Sequence, residues 1–150
     1  MTRRHPRKID LGLERIERVL EKLGNPQTKL PPTVHVAGTN GKGSTVALLR
    51  AMAEAQGLRV HVYTSPHLVK FNERIVLSSA QIQDAPLADY LERVTEASGD
   101  DALTFFEATT AAAYLAFSEH PADLAIIEVG LGGRYDATNV ITPALSLITP

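Results

Sequence analysis

The chain has 150 residues, of which 44% are hydrophobic and 21% are charged, and its formal net charge is −2. This composition is typical of a globular domain with a real core, and it lacks the strongly basic field that nucleic-acid-binding proteins use. There is no cysteine, which excludes a disulfide framework and a zinc–thiolate site, and no apolar run approaches the ~20 residues of a membrane span.

The elements predicted from the sequence alternate between helices and strands. The basic N-terminus, "MTRRHPRK", has no apolar signal region after it, and we interpret it as the solvated tail of a cytoplasmic protein. Asp10 is a candidate N-cap for a first helix, whose apolar residues recur at helical spacing until Gly24 ends it. The elements that follow are a loop at 25–32, a strand at 34–37, a helix at 44–56, a strand at 59–64, a polar loop at 65–74, a short strand at 75–77, helices at 85–97 and 104–119, a strand at 124–129, a glycine-containing loop at 130–139 and a strand at 144–148.

The order of these elements predicts an α/β fold. Several strands, such as "LAIIEV" at 124–129, are apolar on both faces, which is typical of a mostly parallel sheet with helices on both faces. The chain ends on a strand, at "SLITP", where such a fold ordinarily continues. We therefore expect it to be the front part of a longer protein.

The segment "VHVAGTNGKGSTVALL", residues 34–49, joins a strand to a helix through a loop with three glycines and one lysine. Backbone N–H groups at a helix N-terminus attract anions, glycines let the loop turn tightly around a phosphate, and a lysine adds a positive charge. The loop departs from the pattern G-x-x-x-x-G-K-[ST], because Val36 replaces the first glycine and Gly43 replaces the hydroxyl residue. The alternative is a plain glycine-rich turn. The candidate nucleotide-binding residues are Gly38, Thr39, Asn40, Gly41, Lys42, Gly43, Ser44 and Thr45.

The stretch "HVAGTNGKGST" resembles the ATP loop of the Mur ligase superfamily. Within it, the sequence is most similar to the bifunctional bacterial folylpolyglutamate synthase/dihydrofolate synthases, which also carry glycine after the lysine. The resemblance runs from residue 9 to residue 150. It implies a P-loop NTPase-like fold, with residues 1–150 as the N-terminal part of the ATP-binding domain and a C-terminal glutamate-binding domain outside them. It also implies ATP and Mg²⁺ as cofactors and Lys42 as the catalytic cation.

A second motif, "TSPHLVKFNERI" at 64–75, follows a strand and so begins at the carboxyl edge of the sheet, where ligands bind in such folds. In the family the matching loop closes over the ATP site and helps to bind the pterin substrate. The resemblance implies that Ser65 is a magnesium ligand and that His67, Asn72 and Arg74 bind substrate. The alternative is an ordinary surface loop in which Ser65 is a local cap.

A third motif, "IIEVGLGGRYDATN" at 126–139, begins as an apolar strand and continues as a glycine loop. Glu128 ends the strand, where a charge is costly without a partner, and a magnesium ion is a suitable partner. The resemblance implies that Glu128 is the second magnesium ligand and that Arg134 and Asp136 bind substrate. The alternative is a buried salt bridge between Glu128 and Arg134.

A fourth motif, "TFFEATTAAAYLAF" at 104–117, resembles the family helix that packs beside the ATP site. Its aromatic residues Phe105, Tyr114 and Phe117 are interpreted as core. Glu107 has two interpretations, since it could face the site or cap the start of the helix.

The family joins L-glutamate to dihydropteroate or to folates such as tetrahydrofolate. ATP phosphorylates a substrate carboxylate, and the glutamate amine attacks the acyl phosphate. Such chemistry depends on positioning and charge neutralisation rather than on a side-chain nucleophile. The resemblance therefore implies an ATP-dependent amide ligase, monomeric and without nucleic-acid or membrane partners, and we expect this chain alone to bind ATP–Mg without turnover. The alternatives are a nucleotide-binding module without ligase activity, another Mur-type ligase and, more distantly, a small-molecule kinase.

Overall fold

The computed structural model describes residues 12–150, so Asp10 and the basic N-terminal segment lie outside the described residues. The helices in this range are α1 (Glu14–Lys22), α2 (Lys42–Ala55), α3 (Asp84–Ser98) and α4 (Phe105–Glu119). The strands are β1 (Thr33–Ala37), β2 (Val60–Tyr63), β3 (Ile75–Leu77), β4 (Ala80–Gln81), β5 (Leu124–Glu128) and β6 (Leu145–Ile148). Two 3₁₀ turns lie at Pro26–Lys29 and Phe71–Arg74.

The strands form one sheet in the order β4-β3-β2-β5-β1-β6. The parallel strands are β2, β5, β1 and β6. Strands β3 and β4 pair antiparallel at one edge. The prediction of a mostly parallel sheet is therefore confirmed. Strand β4 was not predicted, because its two residues are too short to show a hydrophobic alternation.

Helices cover both faces of the sheet, as predicted. Helix α2 packs through Val46 and Ala53 against one face, where Val36, Val62 and Ile126 contribute from three strands. The other face shares a larger cluster with α1, α3 and α4. Helix α4 is buried almost throughout from Glu107 to Phe117, and its run of alanines permits this close packing. Within residues 12–150, no helix is both long and apolar enough to cross a bilayer.

His61 is a buried polar residue in the middle of β2. Its Nε2 lies 3.0 Å from the carbonyl of His120, its Nδ1 accepts the N–H of Ser78 at 3.1 Å, and its ring stacks on Phe117 with centroids 4.6 Å apart. An acceptor at Nδ1 requires a neutral ring with its proton on Nε2. Burial lowers the pKa of His61, which agrees with this arrangement.

This arrangement predicts that acid weakens the fold through His61. The unfolded chain takes up a proton near the ordinary value of 6.5, whereas the native ring takes it up only at lower pH. The free energy of unfolding therefore falls as the pH drops below about 6.5 toward the lowered native pKa. Burial also lowers the pKa of His35, which therefore contributes in the same direction.

A His61→Gln variant tests this, because an amide does not titrate. It should be about 1–3 kcal/mol less stable at pH 7.5, since it loses the ring contact and one hydrogen bond. Its stability should change less than that of the wild type between pH 7.5 and pH 5.5. Urea unfolding followed by circular dichroism measures both quantities. An equal change with pH in the two proteins would contradict the assignment.

Candidate functional site

The loops that carry the predicted site residues begin at the carboxyl edge of the parallel strands. Strands β1 and β5 are neighbours, and Val36 lies opposite Glu128 in their register. Strand β2 pairs with the other side of β5 and ends at Tyr63, two residues before Ser65. Parallel neighbours end at the same edge, so the loops that follow β1, β2 and β5 leave the sheet side by side.

The start of α2 offers backbone N–H groups to solvent. The helix begins at Lys42, two residues earlier than predicted, and its N-cap is Gly41 at φ 80°, which supplies no side-chain cap. Thr45 makes the first backbone bond of this turn, from its N–H to the Gly41 carbonyl at 2.9 Å. The amides of residues 42–44 precede that bond and are positioned to bind an anion.

The first half of the loop is engaged with the end of the chain. The amides of Thr39 and Asn40 both donate to the carbonyl of Pro150, at 3.2 and 2.7 Å. Gly38 has φ 135°, and a Cβ at this position would collide with the side chain and carbonyl of Thr149. Residues 149–150 therefore contact the first half of the predicted segment 38–45. The amides available to a phosphate lie in its second half.

The Lys42 side chain folds across the loop. Its Nζ donates to the Gly38 carbonyl at 3.0 Å, which keeps the ammonium beside the open amides. The Thr45 hydroxyl donates to the Gly41 carbonyl at 2.9 Å. A lysine and a helix N-terminus at one place form a positive site that suits phosphate groups.

Glu128 lies at the edge of this positive site and is only 5% exposed. Its Oε2 accepts the N–H of Ser65 at 3.3 Å. Burial raises the pKa of the Glu128 carboxyl, and the Ser65 N–H and the charge of Lys42 act in the opposite direction. The alternative salt bridge with Arg134 is not formed, because that guanidinium is solvent-exposed and lies 5.8 Å from the ring of Tyr135.

Ser65 and Glu128 are adjacent, because the backbone N–H of Ser65 donates to the carboxylate, and their shared role as metal ligands stays a prediction. Within residues 12–150, no three His, Cys, Asp or Glu side chains group as metal ligands. Mg²⁺ needs only one or two protein oxygen ligands where phosphates and water supply the rest. A hydroxyl and a buried carboxylate beside a phosphate loop therefore fit a magnesium ion that is bound together with a nucleotide.

The loop that follows β2 is organised by Glu73. This carboxylate accepts the N–H groups of Leu68, Val69 and Lys70, at 2.7, 3.1 and 2.8 Å. These backbone bonds hold the pKa of Glu73 below its ordinary value. The loop presents Leu68 and Val69 to solvent, 93% and 83% exposed, while their backbone N–H groups are bonded to Glu73.

His67 and Arg74 lie together at the base of this loop. The Arg74 Nε donates to Nδ1 of His67 at 2.9 Å, and the guanidinium lies 5.6 and 5.7 Å from the ring centres of Phe71 and Phe105. Asn72 points elsewhere, because its amide donates to the Ile82 carbonyl at 3.0 Å and to Asp84 at 2.8 Å. The loop therefore brings two of its three predicted substrate residues together.

The fourth motif forms helix α4 and the residue that caps it. Phe105 was predicted as core and is 65% exposed, because it is the first residue of α4 and projects toward Arg74. Tyr114 and Phe117 are buried, as predicted. Glu107 takes the capping role: it closes a capping box with Thr104 and forms an ion pair with Arg15 at 3.2 Å.

The glycine loop after β5 folds around Asp136, which is 6% exposed. Its Oδ2 accepts the N–H of Leu131 at 2.8 Å, and its Oδ1 accepts the N–H of Thr138 at 3.0 Å. Arg134 lies on the solvent side of the same loop. Asp136 thus has a direct structural role in addition to its predicted substrate contact.

Sequence reasoning missed two residues that touch the site loops. Thr149 limits the space at Gly38, and His35 contacts the loop after β5 through Thr138. A histidine that replaces an apolar residue in a short buried strand was the available signal for His35. Thr149 gave no signal, because its role depends on the pairing of β6 with β1.

A cavity lies at the opposite edge of the sheet, away from the loops of the candidate site. It has a volume of about 500 Å³ and is lined by residues of the segments 27–33 and 140–144, with no charged side chain among them. A phosphate group needs positive charge or open amides, so this cavity is a poor candidate for the nucleotide.

Comparison with known proteins gives matches over nearly the whole chain. It is 43% identical over 145 residues to the dihydrofolate synthase/folylpolyglutamate synthase of Bacillus subtilis. This alignment covers 92% of this chain and 34% of that protein. It is 41% identical over 146 residues to the Escherichia coli protein of the same name. This alignment covers 97% of this chain and 34% of that protein. The chain is homologous to the bifunctional dihydrofolate synthase/folylpolyglutamate synthases. It spans about a third of their length.

Solved structures of such synthases share this fold. The Yersinia pestis bifunctional folylpolyglutamate synthase/dihydrofolate synthase, complexed with AMPPNP and Mn ion, aligns with a TM-score of 0.91 at 40% identity over 97% of this chain and 35% of that one. An Escherichia coli structure in complex with DHPP and ADP aligns with a TM-score of 0.90 at 40% identity, covering 97% and 35%. No protein-family model matches the chain.

The packing at Gly38 predicts opposite effects for two glycine-to-alanine changes in the same loop. Gly38→Ala should cost about 1–3 kcal/mol, because it combines a left-handed backbone with a collision at Thr149. Gly43→Ala is the matched control, since a Cβ there meets open space inside a helix, and it should gain about 0.5–1 kcal/mol. Urea unfolding compares the two variants. Equal effects would show that Thr149 does not constrain the loop.

Proposed function

We propose that this chain supplies the ATP- and magnesium-binding part of a ligase that joins L-glutamate to dihydropteroate or a folate. The observation that carries the proposal is the meeting of Lys42 and the open amides of α2 with the buried carboxylate of Glu128. The positive groups suit phosphates, and the anionic oxygen suits a cation. Because they lie side by side, they fit a metal–nucleotide complex better than a nucleotide or a metal ion alone.

The homologues support this choice of ligand. The related synthase structures include complexes with ADP, with AMPPNP and Mn ion, and with L-glutamate. Those complexes belong to proteins that align with almost all of residues 1–150. The whole reaction is proposed for this chain by homology, since the relatives that carry the activity in their names are about three times as long.

In the proposed arrangement, the amides of residues 42–44 and the Nζ of Lys42 would bind the β- and γ-phosphates. Ser65 and Glu128 would hold Mg²⁺, which would offset the negative charge of the phosphate oxygens. The amides of Thr39 and Asn40 have the Pro150 carbonyl as partner, so they shape the loop rather than bind phosphate. Lys42 exchanges its bond to the Gly38 carbonyl for a phosphate oxygen.

The substrate carboxylate is proposed to lie between the loop after β2 and the loop after β5. His67 and Arg74 provide a polar pair from the first loop, and Arg134 and Asp136 belong to the second. Phosphoryl transfer to that carboxylate depends on how closely these residues align it with the γ-phosphate. We assign Asn72 to the support of the loop, and its predicted contact with substrate stays a prediction.

We propose that the 150-residue chain binds ATP–Mg without turning it over. Phosphate-loop binding needs only the groups described above, all of which lie within residues 12–150. Glutamate ligation also needs a site for the amine, and we propose that a C-terminal domain outside these residues supplies it. Glutamate-dependent ADP release by this chain with dihydropteroate would contradict this part of the proposal.

Replacement of Lys42 tests the phosphate loop. Lys42→Ala should weaken ATP–Mg binding by about 10- to 100-fold, because it removes one charge-assisted hydrogen bond worth about 1.5–3 kcal/mol. Lys29→Ala is the matched control, since this exposed lysine lies near the start of β1 at the opposite edge of the sheet. Isothermal titration calorimetry measures both. Equal losses in the two variants would place the nucleotide elsewhere.

Replacement of Glu128 tests the metal site through a gain of stability. Because burial raises the pKa of this carboxyl, its ionised form destabilises the fold near neutral pH, and Glu128→Gln should raise Tm in the absence of metal. The same variant should lose the dependence of ATP affinity on Mg²⁺ concentration. Glu96→Gln on the exposed face of α3 is the control and should change neither. A lower Tm with unchanged Mg²⁺ dependence would rule out Glu128 as the ligand.

A further inference from the structure

Strand β1 carries a buried imidazole that the proposed function leaves without a role. His35 is 7% exposed and lies three residues before Gly38, in the strand that leads into the phosphate loop. Its Nε2 lies 2.8 Å from Oγ1 of Thr138. Thr138 belongs to the loop after β5, so one side chain connects two loops of the site.

The hydrogen positions in this contact follow from its neighbours. Oγ1 of Thr138 also lies 2.5 Å from Oδ1 of Asp136. An ionised carboxylate only accepts hydrogen bonds, so the hydroxyl donates to Asp136 and accepts from Nε2–H of His35. The Thr138 carbonyl in turn accepts the hydroxyl of Tyr114 at 2.8 Å. Thr138 is therefore held from β1, from α4 and from its own loop.

The Asp136 carboxylate determines the shape of the glycine segment. Its Oδ2 accepts the N–H of Leu131, and Asn139 donates its backbone N–H to the Asp136 carbonyl at 2.8 Å. Gly130 fits closely between Asp136 and Phe106, where an added Cβ would collide with the phenyl ring. A rotation of this carboxylate would release the Leu131 amide and change the path of residues 130–136.

We infer that His35 is a positioning residue, which acts through the Thr138 hydroxyl to fix the Asp136 carboxylate and thereby the substrate-facing loop at residues 130–136. The inference rests on the proposed function in one respect, because that loop bears on substrate through Arg134 and Asp136. The positioning itself depends only on the hydrogen bonds described. The hydrogen bonds from His35 through Thr138 to Asp136 order the loop after β5. Their loss should therefore affect the dihydropteroate site more than the nucleotide site.

The test compares four variants by two measurements. His35→Phe keeps a ring but removes the donor, His35→Gln keeps a donor, Thr138→Val removes the hydroxyl, and the fourth variant combines His35→Phe with Thr138→Val. Amide hydrogen exchange of Leu131, followed by NMR, reports on the Asp136 carboxylate. Calorimetry with dihydropteroate, and separately with ATP and Mg²⁺, reports on the two ligand sites of the full 150-residue chain.

The expected result is faster exchange and weaker pterin binding that share one cause. His35→Phe and Thr138→Val should each speed Leu131 exchange by about tenfold and weaken dihydropteroate binding by about fivefold, while ATP–Mg affinity changes less than twofold. The double variant should be no worse than either single one, because the two side chains act in series. His35→Gln should restore most of both losses.

Two results would overturn the inference: unchanged Leu131 exchange in His35→Phe and Thr138→Val, or additive effects in the double variant. If His35→Phe fails to fold, His35→Met, which also lacks a donor, replaces it in the exchange comparison with Thr138→Val and His35→Gln. If the wild-type chain binds ATP–Mg but no dihydropteroate, the substrate assignment and the pterin part of the inference fail together. Leu131 exchange then still decides whether His35 positions Asp136.

Discussion

The register between β1 and β5 places the groups of the candidate site. Val36 lies opposite Glu128, and the amide of Val129 donates to the Val36 carbonyl at 2.9 Å, so the two strands reach the edge of the sheet together. A shift of one residue would turn every side chain of β5 to the other face of the sheet. Glu128 would then leave Ser65, and the apolar residues before it would leave the two hydrophobic clusters.

Polar groups at this edge lack full compensation from the protein itself. The positive end of α2 and the ammonium of Lys42 are met by a backbone carbonyl, and the Glu128 carboxylate by one backbone amide. Buried or converging polar groups of this kind reduce stability unless a ligand completes them. This is the pattern expected where binding, rather than folding, has determined the choice of residues.

The two loops at the site are held by different kinds of contact. The phosphate loop is held by close packing of Gly38 on Thr149 and by backbone bonds to Pro150. The loop after β5 is held by side chains, with a buried carboxylate at its centre and links to β1 and α4. Changes of side chain should therefore disturb the second loop more readily than the first.

The sequence predicted the alternation of elements and the glycine–lysine loop, because hydrophobic period and glycine spacing are local signals. It misplaced Phe105, since the first residue of a helix can point away from the core without any change in the local pattern. It left Glu107 open, because capping and ligand binding both favour an acidic residue in the first turn. It missed His35, whose partner Thr138 lies 103 residues away and becomes a neighbour only in the folded sheet.

The central claim is that the amides at the start of α2 bind a nucleotide phosphate together with a metal at Glu128. The most direct test is an NMR titration of the ¹⁵N-labelled chain with ATP and Mg²⁺. We expect the largest backbone shifts at residues 42–44 and at Ser65, and smaller ones at Thr39 and Asn40, whose amides already have a partner. Largest shifts around the cavity between residues 27–33 and 140–144, or none at the start of α2, would contradict it.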